Sequence, residues 1–319
     1  MRLARAVALL CTLALGACVV RRGPPTSAGY PETTSLLGQP LYAPELPLER
    51  RQQLEGEWRQ AYETYARDTD DADAIIWLGR RTAYLGRYRD AVGIFTEGIH
   101  KHPRDPRMYR HRGHRWITLR EFGKAARDLE RAAVLMRGKP DQVEPDGQPN
   151  ARNIPLTTLH GNVWYHLGLA YYLRGEWARA LHAFRNSLAA AGNDDSRVAS
   201  TDWIYMTLRR MGRHEEAARV LEPIRPDMEI IENIAYHRRL LMYKGLLPPD
   251  SLLAPGGQDA VTLATQGYGV GNWYLYNGRV DEAEEIFWRV TTAENWAPFG
   301  YIAAEADLRR LARRRGFRR

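Results

Sequence analysis

The sequence predicts an all-α chain, a solenoid of stacked antiparallel helix hairpins. Three observations predict it. One order of residue types (large, small, aromatic, turn glycine, small, aromatic) returns along the chain with a period close to 34 residues. No single hairpin of this pattern buries its own apolar face, so neighbouring hairpins must stack. The composition, 44% hydrophobic and 26% charged over 319 residues, is that of a folded chain with a sizeable core and excludes global disorder.

The repeat is carried by named residues. Leu78-Gly79, Gly86-Arg87-Tyr88, Ala91, Phe95 and Pro103 give the first copy. A looser copy has Arg112-Gly113, Phe122, Ala125 and Leu129. Trp164, Leu167-Gly168, Tyr171, Gly175, Trp177, Ala180 and Phe184 give a closer one, and Gly271, Tyr274, Gly278, Ala283 and Phe287 another. Aligned on the turn glycine, units start near Ala72, Pro106, Gly161, Val198, Ile231 and Ala264, at spacings of 34, 55, 37, 33 and 33 residues. The second unit has Arg120 where the others have glycine. The spacing of 55 contains an insertion at about 140–160, from Gly138 to His160. The unit at Ile231 is degenerate, because Pro248-Pro249 interrupts its second half.

Each position has a physical reason. A small residue at Gly79, Gly113, Gly168 and Gly271 lets two helices approach closely. Ala91, Ala125, Ala180, Ala217 and Ala283 are the contact points on the second helix. The turn glycines can take the left-handed conformation that ends the first helix.

These residues resemble the tetratricopeptide pattern, W-x2-L-G-x2-Y followed by Ala, Phe and often Pro, over most of residues 72–297. The resemblance implies a right-handed α-solenoid whose first helices line an inner face. It also implies ligand contacts from the second, fifth, ninth, twelfth and thirteenth positions of each unit. Those positions hold Arg80 and Tyr84; Arg107, Arg110 and His114; Asn162, Tyr165 and Tyr172; and Asp202, Arg209 and Arg210. The degenerate unit adds Glu232, Arg239 and Tyr243, and the last unit Tyr268, Asn272 and Tyr276. Arginine forks suit carboxylates and phosphates, and tyrosine offers rigid apolar area with a polar tip. Tyr84 and Tyr172 each stand beside a core position and can belong to core or groove.

The flanks read differently. Residues 1–17 carry Arg2, Arg5, a short apolar run and small residues, the pattern of a secretory signal. The run falls short of the ~20 residues that span a bilayer. Leu15-Gly16-Ala17-Cys18 resembles the lipobox of bacterial lipoproteins, which implies acylation of Cys18 and a membrane anchor. Val19 leans the address towards the outer membrane, facing the periplasm. Residues 18–48 hold Pro24, Pro25, Pro31, Pro40, Pro44 and Pro47 without helical or strand period, and predict a flexible tether. Residues 49–71 predict a leading helix, 72–319 the repeat array, and 299–314 a polar closing helix.

Charge and chemistry exclude more than they assign. Lys plus Arg outnumber Asp plus Glu by 46 to 38, spread along the chain except for the arginines from Arg309 to Arg319. Such a mild excess is common in soluble proteins. Nucleic acid is not expected as a partner, since export removes the protein from it and no motif concentrates the charge. The two cysteines, Cys11 and Cys18, leave the body without a thiolate, a disulfide or a cysteine metal site. No His-Glu-x-x-His, Gly-x-Ser-x-Gly or Walker sequence occurs. Asp141, Glu144 and Asp146 lack the order of a calcium loop. The expectation is therefore no enzyme, no cofactor and no metal. The leading reading is an envelope scaffold that binds protein or peptide partners. The alternative is a lipoprotein that captures glycan or peptide ligands for uptake. An enzyme built from the insertion with His160, His166 and Glu232 ranks last.

Overall fold

The computed structural model describes residues 29–253 and 260–316; the signal segment and Cys18 lie outside them. Among the described residues the chain is mainly helical, with one short hairpin of strands β1 (Thr33–Thr34) and β2 (Pro40–Leu41). A leading helix, α1 (Leu48–Arg67), is followed by helix pairs α2 (Ala72–Tyr84) with α3 (Tyr88–Lys101), α4 (Pro106–Thr118) with α5 (Phe122–Met136), and α6 (Leu159–Arg174) with α7 (Trp177–Ala189). Then come α8 (Asp194–Arg210) with α9 (His214–Leu221), α10 (Ile234–Tyr243) with the one-turn α11 (Asp250–Leu253), and α12 (Ala260–Tyr276) with α13 (Val280–Thr291). The last helix is α14 (Phe299–Gly316). The chain is an all-α solenoid of stacked hairpins.

Local chemistry sets these boundaries. Asp71, Asp105, Thr158 and Asn193 each cap the helix that follows, their side-chain oxygens accepting backbone N–H groups of the first turn. Pro106 begins α4, where its missing N–H costs nothing. α6 ends at Gly175 in the left-handed region (φ +81°). Within each hairpin the small position is forced: a Cβ on Gly168 would lie 2.5 Å from the Phe184 ring, and one on Gly113 would lie 2.7 Å from Leu129. In the degenerate unit, Pro248 and Pro249 reduce the second helix to the four residues of α11.

Two expectations about the flanks are corrected. The tether reading fails for residues 29–47, which are docked on the body. Thr33 Oγ1 donates to the Leu119 carbonyl at 2.8 Å, and Trp296 Nε1 donates to the Tyr42 carbonyl at 2.6 Å. The prolines that hide any period are compatible with a short hairpin, because its hydrogen bonds come from Glu32 and Ser35.

The polar closing helix is also not what α14 is. Every residue from Gly300 to Leu308 is buried, Glu305 and Asp307 included. The helix runs along the face lined by the first helices: Phe299 packs on His114 and His166, Arg310 donates to the Tyr172 and Leu173 carbonyls, and Tyr268 donates to Asp307. It approaches α12 so closely that a Cβ on Gly300 would lie 2.3 Å from the Ala264 carbonyl oxygen. Its acids pass as surface residues in sequence because their arginine partners stand on other repeats.

Candidate functional site: the inner-face cleft

The first helices present the residues expected of a groove, and the structure divides them into two halves. In the C-terminal half the groove is filled. Tyr172, Tyr268 and Asn272 are fully buried beneath α14 and joined to one another, Tyr172 to Tyr268 at 2.8 Å and Asn272 to Tyr172 at 3.1 Å. Arg210 pairs with Asp307 there. Asp202 and Arg239 form an ion pair of 2.8 Å with both side chains fully buried. Tyr243 stacks on Tyr205, and Arg209 lies over the Tyr276 ring while donating to Asn277. These positions pack helix on helix, so the groove reading is corrected for them: α14 and the buried ion pair occupy the space a ligand would need. Arg107, at the start of α4, is tied to Asp105 and Asp73, outside the groove.

In the N-terminal half the groove stays open. Arg80, Arg110, His114, Asn162 and Tyr165 line one cleft of about 360 Å³. The insertion folds over it. Glu144 pairs with Arg110 at 2.8 Å, the Pro145 carbonyl accepts from Arg80 at 2.9 Å, and the Gly147 carbonyl accepts from Arg81 at 2.8 Å. On the other side Asn150 donates to Glu232 and Arg152 pairs with Glu229, so the loop spans the cleft from α2 to the start of α10. Gly147 sits so close to Arg80 and Tyr84 that a side chain there would collide with both. Tyr236 and Phe299 form the far wall, with the Tyr165 and Tyr236 hydroxyls 2.9 Å apart.

A smaller cavity of about 120 Å³ adjoins the cleft, lined by Arg80, Tyr84, Arg110, His111, His114 and Arg115 among others. Tyr84 therefore faces a cavity. Burial holds His111, His114 and His166 well below the usual imidazole range, helped by neighbouring arginines. Burial also lowers the Arg115 guanidinium to about 10 and pushes Arg110 down, the latter opposed by Glu144. Tyr165 is pushed well up by the same desolvation.

Sequence reasoning by repeat position missed Arg115, His111 and Tyr236 as lining residues. The His111-x-x-His114-Arg115 run was the available signal, since it puts two imidazoles one helical turn apart beside a cation. Among the described residues no group of three His, Cys, Asp or Glu side chains is placed to hold a metal ion, and no helix is long and apolar enough to cross a membrane.

Two family models described as tetratricopeptide repeat match the chain, over residues 76–143 and 161–194. Those stretches carry tetratricopeptide repeats. The matched stretches run from within α2 to α5 and over most of the α6–α7 hairpin, and so include Arg80, Arg110, His114, Asn162 and Tyr165 of the cleft. Similar solved structures include a tetratricopeptide repeat protein from Parabacteroides merdae (14% identity, 81% of this chain and 92% of that one, TM-score 0.48). They also include YrrB, described as a TPR protein with an unusual peptide-binding site (14%, 80% and 97%, TM-score 0.42), and MamA (15%, 64% and 99%, TM-score 0.42). No curated protein matches the chain.

Proposed function

We propose that this protein is a lipid-anchored scaffold of the bacterial envelope that holds a partner protein by an extended segment threaded into the inner-face cleft. One observation carries the reading: the cleft is the part of the inner face that α14 leaves open, and the insertion roofs it without filling it. Its walls combine arginine forks with tyrosine and phenylalanine faces, which suit a peptide bearing acidic groups. Tetratricopeptide arrays generally mediate protein–protein interaction, and repeats of this kind seldom catalyse.

The lipobox-like Cys18 supports the anchor. Ten residues lie between it and Gly29, a reach of at most about 40 Å, so acylation would hold the body close to the membrane surface. The lean to the outer membrane and its periplasmic face rests on Val19.

Crosslinking in intact cells tests the reading. A photo-reactive residue at Thr157, on the cleft rim, should give a discrete product. Ala191→Trp, which fills the cleft, should remove it, and Ala218→Trp on the exposed face of α9 should not. Equal crosslinking in both variants would overturn the cleft as the binding surface. Cys18→Ser should abolish palmitate labelling and release the protein from the membrane fraction; retained labelling would sink the anchor.

A further inference from the structure

The buried arginines of this protein are matched with carboxylates nearly everywhere. Arg120 has Glu305, Arg239 has Asp202 and Arg87 has Asp90, and the partly buried Arg112 and Arg210 have Asp128 and Asp307. The small cavity behind the cleft breaks that pattern. Three guanidinium groups, from Arg80, Arg110 and Arg115, line it, and no carboxylate does. Arg110 takes Glu144 at 2.8 Å from the insertion. Among the described residues Arg80 donates only to neutral oxygens, the Pro145 carbonyl at 2.9 Å and the Tyr84 hydroxyl at 3.4 Å. Among the described residues Arg115 makes no side-chain hydrogen bond or ion pair; its guanidinium lies 5.6 Å from the centre of the Tyr88 ring.

Two of three charges thus border one small cavity without a counter-ion, each side chain only partly buried. Like charges converging on one cavity repel one another, and an anion between them would relieve that repulsion. A second observation points the same way. Arg110 is 9% exposed, lines both the cavity and the cleft, and its Nε has no hydrogen-bond partner. That orphan donor belongs to the only one of the three arginines with an acid.

We propose that this cavity is a binding site for a small oxyanion, a carboxylate or phosphate group, held between Arg80, Arg110 and Arg115. The volume of about 120 Å³ suits one such group with a water molecule or two. His111, whose Nδ1 lies 3.0 Å from Arg110 Nη1, and His114 border the same space, and the Tyr84 hydroxyl closes the set. Arg80, Arg110 and His114 line both spaces, so the cavity lies directly beside the cleft. The site deepens the cleft reading, since an acidic group of a segment held there would enter it; an anion bound alone would use the same donors.

Thermal unfolding of the full chain in detergent micelles, at fixed ionic strength, tests the site without any partner. Sodium phosphate or acetate replacing chloride should raise the midpoint saturably, by roughly 2–5 °C. Arg115→Leu should remove that rise and lift the midpoint in chloride, because the unpaired charge is gone. If Arg115→Leu does not fold, the half-exposed Arg80→Gln gives the same reading. A rise that is the same in wild type and variant, or that never saturates, would overturn the proposal. Phosphate acting where acetate does not would assign a phosphate-class ligand, and the reverse a carboxylate. Loss of the anion effect with cleft crosslinking intact would sink this site and leave the scaffold reading standing. An anion effect without crosslinking would do the opposite.

Discussion

Arg120 and Glu305, 185 residues apart, are joined by two hydrogen bonds of 3.0 and 2.9 Å in a buried fork. Their side chains are 3% and 0% exposed. Arg120 also donates to the carbonyls of Thr118 and Trp296. It stands where the repeat expects a turn glycine, and it holds the left-handed backbone (φ 65°) that glycine would take freely. The departure from the pattern has a reason: a side chain at that turn ties the second repeat to α14.

Glu305→Ala should therefore destabilise the fold by about 3–5 kcal/mol, because it leaves the Arg120 guanidinium buried and unpaired. The double substitution Arg120→Leu with Glu305→Leu should cost clearly less than the sum of the singles. Denaturant midpoints of the four proteins check this; strict additivity would mean that the fork is not coupled.

Stability should fall as pH drops through about 6.5 towards 5. His111, His114 and His166 are held below their unfolded value near 6.5, so in this window the unfolded chain binds more protons than the native one. Native stability then rises with pH. His166→Gln should flatten the slope, which thermal midpoints read at half-unit intervals would show.

Asp307 should add a second, more acidic limb. Burial alone would raise its carboxyl, but Arg210 and Arg310 hold it below the ordinary value. Its contribution is present above about pH 4 and is lost as pH falls through the folded value. Asp307→Asn should be less stable at neutral pH and lose less on acidification; an unchanged acid limb would count against the Arg210–Asp307–Arg310 cluster.

Close packing makes two glycine substitutions diverge. Gly168→Ala should destabilise by about 1–3 kcal/mol, since its new Cβ meets the Phe184 ring. Gly93→Ala in α3 meets nothing within 4 Å and should stabilise by roughly 0.5–1 kcal/mol. Unfolding curves measured side by side test the contrast.

The roof of the cleft should depend on Glu144. Its removal in Glu144→Ala frees Arg110 and Asn162, and hydrogen exchange across residues 138–158 should rise while exchange in α6 core amides stays slow. Unchanged protection of the loop would show that the contacts to Arg80, Arg81 and Glu232 suffice to hold it.

The sequence by itself determined the hairpins. Gly79, Gly113, Gly168 and Gly271 are legible because helix contact leaves no room for a Cβ, a constraint any repeat must obey locally. The inner-face positions on the first helices were legible for the same reason, since repeat register fixes which way a residue points. Occupancy of that face was not. Whether Arg110 meets a cleft and Tyr268 a buried carboxylate depends on where the insertion, the N-terminal hairpin and α14 come to rest. Their anchors, Glu144 on Arg110, Thr33 on Leu119 and Glu305 on Arg120, pair residues far apart in sequence and carry no period. Only the tertiary structure could decide them, because a charge reads as surface in sequence until its distant partner is found.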